Sequence, residues 1–426
     1  MIQTIRGFRD ILPPETAKWQ YVENTARNIL ENHGFREVRV PILENTELFL
    51  RSIGETTEIV EKEMYSFIDR NKVSVTLRPE VTASIVRAFI QYGLYNQPWA
   101  KKLYTIGPMF RRERPQRGRY RQFWQINAEI FGYGEPFAEI DLLNALDMIL
   151  KALKIRDYQL LLNSLGCTKC RPYFKKALKD YLSSKKEGLC PDCKRRQAVN
   201  PLRVFDCKTE SCHGILLDAP RIIDYLCPDC QTHFIEVQDY LKGINMKFTV
   251  NPYLVRGLDY YTRTAFEVTV EGIGAQDAIA GGGRYDELIK ELGGKSTPAI
   301  GFAIGIDRLL PVVPEIDGGR CPALFLALLD NESFKIGLIW ARRLREKGVW
   351  VEMNYNRSSL KSQMNRANQL NAKFVLIIGE RERQRGEAIL RNMDTKVQVN
   401  IPISVERGIP LFLKEAEDNE GRGKEK

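Results

Sequence analysis

TIGPMFRRERPQRGRYRQFWQINAEIF, residues 105–131, decides how this chain is read. An apolar, strand-like run enters a turn holding five arginines within ten residues, and a second apolar strand returns from it. Alternation with a period of two puts Phe123, Gln125, Asn127 and Glu129 on one face of the return strand. Guanidinium groups at a turn, beside a face of amide and carboxylate groups, suit a polyanion such as a nucleoside triphosphate with an amine-bearing ligand next to it. A merely solvated basic hairpin would not need that polar face.

Before this unit, residues 13–33 read as an amphipathic helix, with Trp19, Val22, Ala26, Ile29 and Leu30 at helical spacing and Gly34 as a stop. FREVRVPIL (35–43) reads as a strand, and Pro41 suits an edge or an interface. MYSFID and VSVTL (64–69 and 73–77) read as a hairpin, and a helix follows over 82–92. LRPEVTASIVRAF (77–89) sets Arg78, Glu80 and Thr82 two residues apart, so an extended backbone points them the same way. A carboxylate and a hydroxyl there could bind an ammonium group. The alternative is a helix start, with Thr82 as the cap and Glu80 against the helix dipole.

After the arginine unit comes a helix over 138–153. Strand signals return at LVRGLDYYTRTAFEVTVEG (254–272), which holds Arg256, Asp259, Tyr260, Tyr261 and Arg263. Strand pairing accounts for the tyrosines but not for two arginines and an aspartate; Arg256 could neutralise phosphate charge in a transition state. GGGRYDEL (281–288) lacks the dinucleotide fingerprint and reads as a glycine-rich turn entering a helix, allowing close approach of a ligand or a strand. GFAIGIDRLL (301–310) places Arg308 in the first turn of a helix, where a cation opposes the dipole unless an anion is bound.

The chain has 426 residues, 43% hydrophobic and 28% charged, which favours two or three globular domains. A formal charge of +10 favours a polyanionic partner and is compatible with RNA. The N-terminus lacks the apolar core of a secretion signal and no apolar run is long enough to span a bilayer, so a cytoplasmic protein without a membrane partner is expected. No P-loop, H-E-x-x-H or G-x-S-x-G motif occurs, and three histidines leave little room for histidine acid–base catalysis.

Residues 165–247 read as an inserted module carrying eight of nine cysteines. Cys167/Cys170, Cys190/Cys193 and Cys227/Cys230 are C-x-x-C pairs, and Cys207/Cys212 is a looser one. Close thiol pairs in a cytosolic chain point to metal before disulfides, and the gap of 19 residues between the first two pairs fits zinc-ribbon spacing. Structural zinc is expected, in one or two four-cysteine sites, with His213 able to replace a thiolate. The competing reading is reduced, partly buried thiols. Prolines and glycines over 311–322 mark a linker. Alternating strands and helices beyond it predict a small parallel α/β domain over 323–415, followed by a charged tail without structure over 416–426.

Taken together, these segments resemble the class II aminoacyl-tRNA synthetases, and among them the histidyl-tRNA synthetase family, over nearly the whole chain. FRRERPQRGRYRQF (110–123) and GFAIGIDRL (301–309) look like the second and third class II motifs, and the helix and strand ending at Pro41 look like the first, a dimer element. LVRGLDYY (254–261) and GGGRYD (281–286) look like the family's histidine-recognition elements; LRPEVTA and the DCK at 206–208 also fit. The resemblance implies an α+β protein: a catalytic domain over 1–322 with a mainly antiparallel sheet, the inserted module, and a C-terminal anticodon-binding domain. It implies a homodimer that activates L-histidine with ATP and Mg2+ and charges tRNA(His). Arg111 would bind the α-phosphate, Glu113 would lie near the adenine, and Phe123 and Arg308 would sandwich that ring. Glu80, Thr82 and Gln125 would hold the amino and carboxylate groups of histidine, Glu129 and Tyr261 its imidazole, and Tyr285 would line that pocket. Arg256 would stabilise the transition state. Arg114, Gln116, Arg117 and Arg119 would approach the tRNA acceptor end. Asp307 stands where the family usually has Glu, and the stretch 380–393 is more basic than the family's pattern in that domain. A second reading is the synthetase-like regulatory subunit of ATP phosphoribosyltransferase, a family that typically lacks the C-terminal domain and has lost LVRGLDYY and the class II arginines; both are intact here.

Overall fold

The computed structural model describes residues 2–54, 57–116, 118–271, 277–315 and 321–423. The chain divides into two compact units, residues 1–315 and 316–426.

The first unit is built on an eight-stranded sheet. Its spatial order is Arg36–Glu37, Lys102–Phe110, Gln122–Phe131, Ala299–Gly305, Ala278–Arg284, Thr262–Val270, Tyr158–Ser164 and Thr249–Val250. The pairings at the two edges are parallel and those between them antiparallel. One sheet face is apolar. Ile126, Ala128 and Ile130 from one strand join Ile300, Phe302 and Ile304 from the next, under the helices Glu15–Asn32, Phe137–Ala152 and Pro228–Gly243. In the first helix Trp19, Val22, Ala26 and Leu30 are buried, the single stripe that a helical period produces. The intervening residues of the same strands face the opposite side, where the cleft lies.

Three segments differ from the sequence reading. Of FREVRVPIL (35–43), only Arg36–Glu37 joins the large sheet, and Leu43 opens a separate strand, Leu43–Asn45. LVRGLDYY (254–261) forms no strand; the strand starts only at Thr262. Conversely, the glycine triplet 281–283 lies inside the strand Ala278–Arg284, not in a turn. A side chain at Gly282 would meet the carbonyl of Gly301 at 2.0 Å, so strand packing rather than turning requires that glycine.

The cysteine-rich stretch is helical, over Arg171–Ser184, Pro191–Val199 and Glu210–Leu216. The last helix of the expected module, Pro228–Gly243, instead puts Phe234, Val237 and Leu241 into the main core. A buried ionic network ties it there. Glu139 accepts from Arg284 Nε and Nη2, both at 2.6 Å, and meets His233 Nε2 at 2.6 Å.

The second unit holds a five-stranded sheet in the order Val351–Met353, Leu324–Leu328, Phe374–Ile378, Glu387–Asn392, Gln398–Pro402. The first three strands are parallel, as expected, but the last two are antiparallel, so the sheet is mixed. The basic stretch from 380 supplies a short helix, Glu380–Arg385, and the fourth strand. A helix runs over Val405–Gly423, through most of the tail expected to lack structure.

Candidate active site

A cleft of about 720 Å³ opens on the polar face of the large sheet. It collects Glu80, Thr82, Arg111, Glu113, Arg119, Phe123, Gln125, Glu129, Arg256, Tyr261, Tyr285 and Arg308, drawn from segments far apart in sequence.

At one group of contacts a carboxylate is surrounded by hydroxyls. Glu129 accepts from Thr82 Oγ1 at 2.8 Å and from the Tyr285 hydroxyl at 2.5 Å. Burial, outweighing both donors, pushes its carboxyl up to about 8. Tyr285 lies edge-on to Tyr260, 5.7 Å between ring centres, and Tyr260 packs on Tyr261 at 4.7 Å. Glu80 is buried and caps the helix Thr82–Gln91, accepting from the N–H groups of Thr82 at 2.7 Å and Ala83 at 2.9 Å. The helix start thus belongs to Glu80 rather than Thr82, whose hydroxyl proton goes to Glu129. Arg78 does not share this face. It donates instead to the carbonyls of Pro108 and Val40 at 2.9 and 3.0 Å.

Neighbouring this group, cations converge. The guanidinium of Arg308 is pushed below its ordinary value by burial first, then by Arg119 and Arg111. Lys208 is lowered by burial, then by Arg119 and Arg308. Like charges gathered this closely call for a bound anion. Arg111 lies over the Phe123 ring at 5.2 Å and donates to the carbonyl of Pro79 at 2.9 Å. Arg119 pairs with Glu113 at 3.1 Å. The turn is a small hairpin in which Gln116 and Arg119 exchange backbone hydrogen bonds of 3.1 and 2.9 Å. Arg114 and Gln116 are exposed on it and do not line the cleft, while Arg117 lies outside the described residues.

Arg256 links the two groups. Its Nη1 donates to Glu267 Oε2 at 2.6 Å, and its guanidinium faces the Tyr261 ring at 5.9 Å. Two glycines make room for the key side chains. A Cβ at Gly281 would stand 2.3 Å from Arg256 Nη2, and one at Gly301 would stand 1.6 Å from Glu129 Oε2. Arg256 Nε, Gln125 Oε1 and Asn127 Oδ1 are buried at the cleft without a partner among the described residues. Unpaired buried polar atoms cost about 1–3 kcal/mol each, so their convergence marks a ligand site.

Among the further residues that line the cleft and to which the sequence assigns no role are Asn127, Arg203, Lys208, Tyr260 and Glu267. Asn127 is legible in the period-two face and Lys208 in the DCK segment. Arg203 is legible as the end of NPLR (200–203), just before DCK, whereas Glu267 gives no signal without tertiary contacts.

The eight module cysteines separate into two quartets, Cys167/Cys170/Cys227/Cys230 and Cys190/Cys193/Cys207/Cys212. His213 belongs to neither. Cys167 Sγ lies 3.7 Å from Cys170 Sγ and 3.9 Å from Cys227 Sγ, and Cys190 Sγ lies 3.8 Å from Cys207 Sγ. Four thiolates about 2.3 Å from one zinc would be spaced by about 3.8 Å, and a disulfide by about 2.05 Å. All nine cysteines are free. Backbone N–H groups of Lys169 and Cys227 donate to the first quartet, and those of Cys190, Cys193 and Thr209 to the second.

This geometry has a counterpart among known proteins. The histidyl-tRNA synthetase family matches residues 7–309, and the anticodon binding domain matches residues 326–405. The chain belongs to the histidyl-tRNA synthetase family. The histidine–tRNA ligase of Desulfatibacillum aliphaticivorans is 54% identical over 405 residues, covering 95% of this chain and 97% of the relative. That of Geobacter sulfurreducens is 48% identical over 95% of this chain and 98% of its own. The histidyl-tRNA synthetase of S. aureus, solved without ligands, superposes with a TM-score of 0.80 at 33% identity, over 95% and 98% of the two chains. A Bacillus halodurans structure described as an ATP phosphoribosyltransferase regulatory subunit/histidyl-tRNA synthetase shares the fold, with a TM-score of 0.64 at 18% identity, covering 88% of this chain and 98% of that one. Membership of the histidyl-tRNA synthetase family makes the chain a class II aminoacyl-tRNA synthetase.

Proposed function

We propose that this chain joins L-histidine to ATP as histidyl-adenylate in the cleft of residues 1–315 and passes the histidyl group to the 3' end of tRNA(His). A carboxylate oxygen of histidine attacks the α-phosphorus, the bond to the bridging oxygen breaks, and pyrophosphate leaves. A terminal hydroxyl of the tRNA then attacks the activated carbonyl and AMP leaves. Neither step needs a protein nucleophile; both need alignment and charge neutralisation.

Glu129 and Tyr261 hold the imidazole against Tyr285. Glu80, Thr82 and Gln125 take the amino and carboxylate groups; Glu80 Oε1, which accepts from Ala83 N–H, keeps a lone pair for this. Phe123 and Arg308 flank the adenine, Glu113 lies beside it, and Arg111 neutralises the α-phosphate. Mg2+ enters with the triphosphate. Arg256 meets the charge that develops as the phosphorus is attacked. The observation that carries this reading is the set of unpartnered atoms, Arg256 Nε, Gln125 Oε1 and Asn127 Oδ1, converging on one cleft beside a buried carboxyl.

Arg114, Gln116, Arg117 and Arg119 receive the acceptor end of the tRNA; the exposure of Arg114 and Gln116 supports this. Each cysteine quartet holds a structural zinc ion, which the spacing of the sulfurs supports. The protein works in the cytoplasm as a homodimer. Among the described residues no helix is long and apolar enough to cross a membrane. The small sheet of Leu43–Asn45, Tyr65–Ile68 and Ser74–Leu77 exposes Leu43, Phe67 and Ile68, which supports a partner surface there; light scattering tests it. Charging of tritiated histidine onto total tRNA, together with histidine-dependent pyrophosphate exchange, tests the activity. Histidine binding with neither reaction would instead favour the regulatory-subunit reading.

A further inference from the structure

The two cysteine quartets differ in what they hold. No cysteine of the first quartet lines the cleft, whereas Cys207 of the second does, along with Asn200, Arg203 and Asp206. Those three residues lie between Cys193 and Cys207, on the end of one helix and the short helical turn Pro201–Asp206. From this turn Arg203 Nη2 donates to Asp259 Oδ1 at 2.5 Å, and Arg203 Nη1 donates to the carbonyl of Arg256 at 2.5 Å. Asn200 Nδ2 adds contacts of 3.3 and 3.2 Å to the two Asp259 oxygens. Residues 254–261 lie in neither helix nor strand, so sheet pairing does not fix the backbone that carries Arg256.

We propose that a zinc ion at Cys190, Cys193, Cys207 and Cys212 clamps the 200–206 turn against the Arg256–Asp259 loop, so that occupancy of this site sets the position of the arginine at which adenylate forms. The inference rests on the zinc reading of the quartets and goes beyond it, because it makes one of two similar ions a positioning element for the reaction. The physical chain is short. The ion ties Cys190 and Cys193 at one end of the segment to Cys207 and Cys212 at the other. Arg203 and Asn200 between them then meet Asp259 from a fixed turn. Without the ion, the four sulfurs, all within 4.8 Å of one another, lose the one group that would bind all of them and keep only weak contacts such as Cys190 N–H to Cys212 Sγ, and the turn is released. The first quartet joins Cys167/Cys170 to Cys227/Cys230, none of which lines the cleft; the stretch it encloses, 171–226, holds the 200–206 turn and the whole second quartet, so the clamp that closes directly on the turn is the second ion.

The experiment uses full-length protein purified without added zinc. Metal content by plasma mass spectrometry, pyrophosphate exchange and the thermal midpoint are measured for the wild type, Cys190→Ser, Cys227→Ser and Arg203→Ala. The wild type should carry one ion per quartet, and each cysteine variant should lose one. Cys190→Ser and Arg203→Ala should lose turnover by on the order of tenfold to a hundredfold, with the KM for histidine held within about twofold. Cys227→Ser should keep wild-type turnover despite a lowered midpoint. Cys190→His, which restores a zinc ligand, should recover both ion and turnover. A metal-free wild type removes the zinc reading, and the clamp with it. Wild-type exchange in a Cys190→Ser protein that has lost its ion overturns the clamp alone, as does equal loss in Cys190→Ser and Cys227→Ser. Should Cys190→Ser fail to fold, Arg203→Ala decides: both ions retained with unchanged turnover overturns the proposal.

Discussion

The hydroxyl of Tyr285 donates to Glu129 Oε2 at 2.5 Å, and both side chains are buried. Thr82 satisfies the other carboxyl oxygen at 2.8 Å. Even so, burial holds this carboxyl up at about 8. A group whose folded value is raised keeps a proton that the unfolded chain gives up. Its contribution to stability is full below the ordinary glutamate value of about 4.3 and is lost as pH rises through about 8. Glu129→Gln should therefore flatten the decline in stability of the ligand-free protein between about pH 5 and about pH 8. Urea unfolding at the two pH values measures it, and an unchanged slope would mean that Glu129 ionises as an ordinary carboxyl.

The cleft glycines give a separation of kinetic effects. Gly301→Ala would thrust a Cβ to 1.6 Å from Glu129 Oε2, and Gly281→Ala would bring one to 2.3 Å from Arg256 Nη2. The first should chiefly raise the KM for histidine, the second chiefly lower kcat, each by on the order of a hundredfold. Steady-state exchange at varied histidine reads both. The same pattern in the two variants would mean that the strands move as a block and that the glycines serve packing alone.

Arg256→Ala should abolish most adenylate formation while histidine still binds. Among the described residues its one ion pair is with Glu267 at 2.6 Å, and its Nε is unpartnered. Loss of a charge contact to a transition state costs about 3 kcal/mol or more. Pyrophosphate exchange beside equilibrium binding of labelled histidine separates the two effects. Unchanged exchange would remove Arg256 from the reaction.

Much of this site is legible in the sequence because strands report through a period of two. Spacing alone puts Phe123, Gln125, Asn127 and Glu129 on one face, and all four line the cleft. Class II motifs supply Arg111 and Arg308. What is not legible depends on contacts made across the fold. LVRGLDYY has strand-forming residues, but Asp259 and Arg256 are drawn into contacts with Arg203, fifty and more residues away, so no strand forms there. The glycine triplet reads as a turn because glycine's need for close approach is the same whether the neighbour is its own chain or an adjacent strand. The pairing of eight cysteines stays open for a similar reason: spacing identifies pairs of ligands on a turn, whereas joining 167/170 to 227/230 takes the tertiary fold.

The Arg284–Glu139–His233 network offers a stability test remote from the cleft. Glu139 and Arg284 are fully buried and neither lines the cleft. Glu139 is lowered below its ordinary value: burial opposes this, but the His233 contact and Arg284 prevail. Glu139→Ala leaves the guanidinium of Arg284 buried without its main counter-charge, which should cost about 3–5 kcal/mol. The KM for histidine of the protein that remains folded should stay near the wild-type value. Denaturant unfolding and exchange kinetics, run together, check both. A loss below about 1 kcal/mol would show that water or the Tyr133 and Glu135 carbonyls, which Arg284 also meets, suffice.

Removing residues 316–426 should separate the two half-reactions. Every residue assigned to ATP or histidine lies in the first unit, and the division into compact units falls at 315/316. The second unit has its own core, with Trp340, Leu326, Leu376 and Phe412 buried in one cluster. The anticodon binding match, residues 326–405, lies wholly within the part removed. Pyrophosphate exchange by the 1–315 fragment should therefore stay within about tenfold of the full chain, while tRNA charging at low tRNA concentration falls by on the order of a hundredfold or more. Far-UV circular dichroism and a cooperative thermal transition establish that the fragment is folded. Equal losses in a folded fragment would show that the C-terminal unit supports adenylate formation itself, and would place part of the first step outside the cleft.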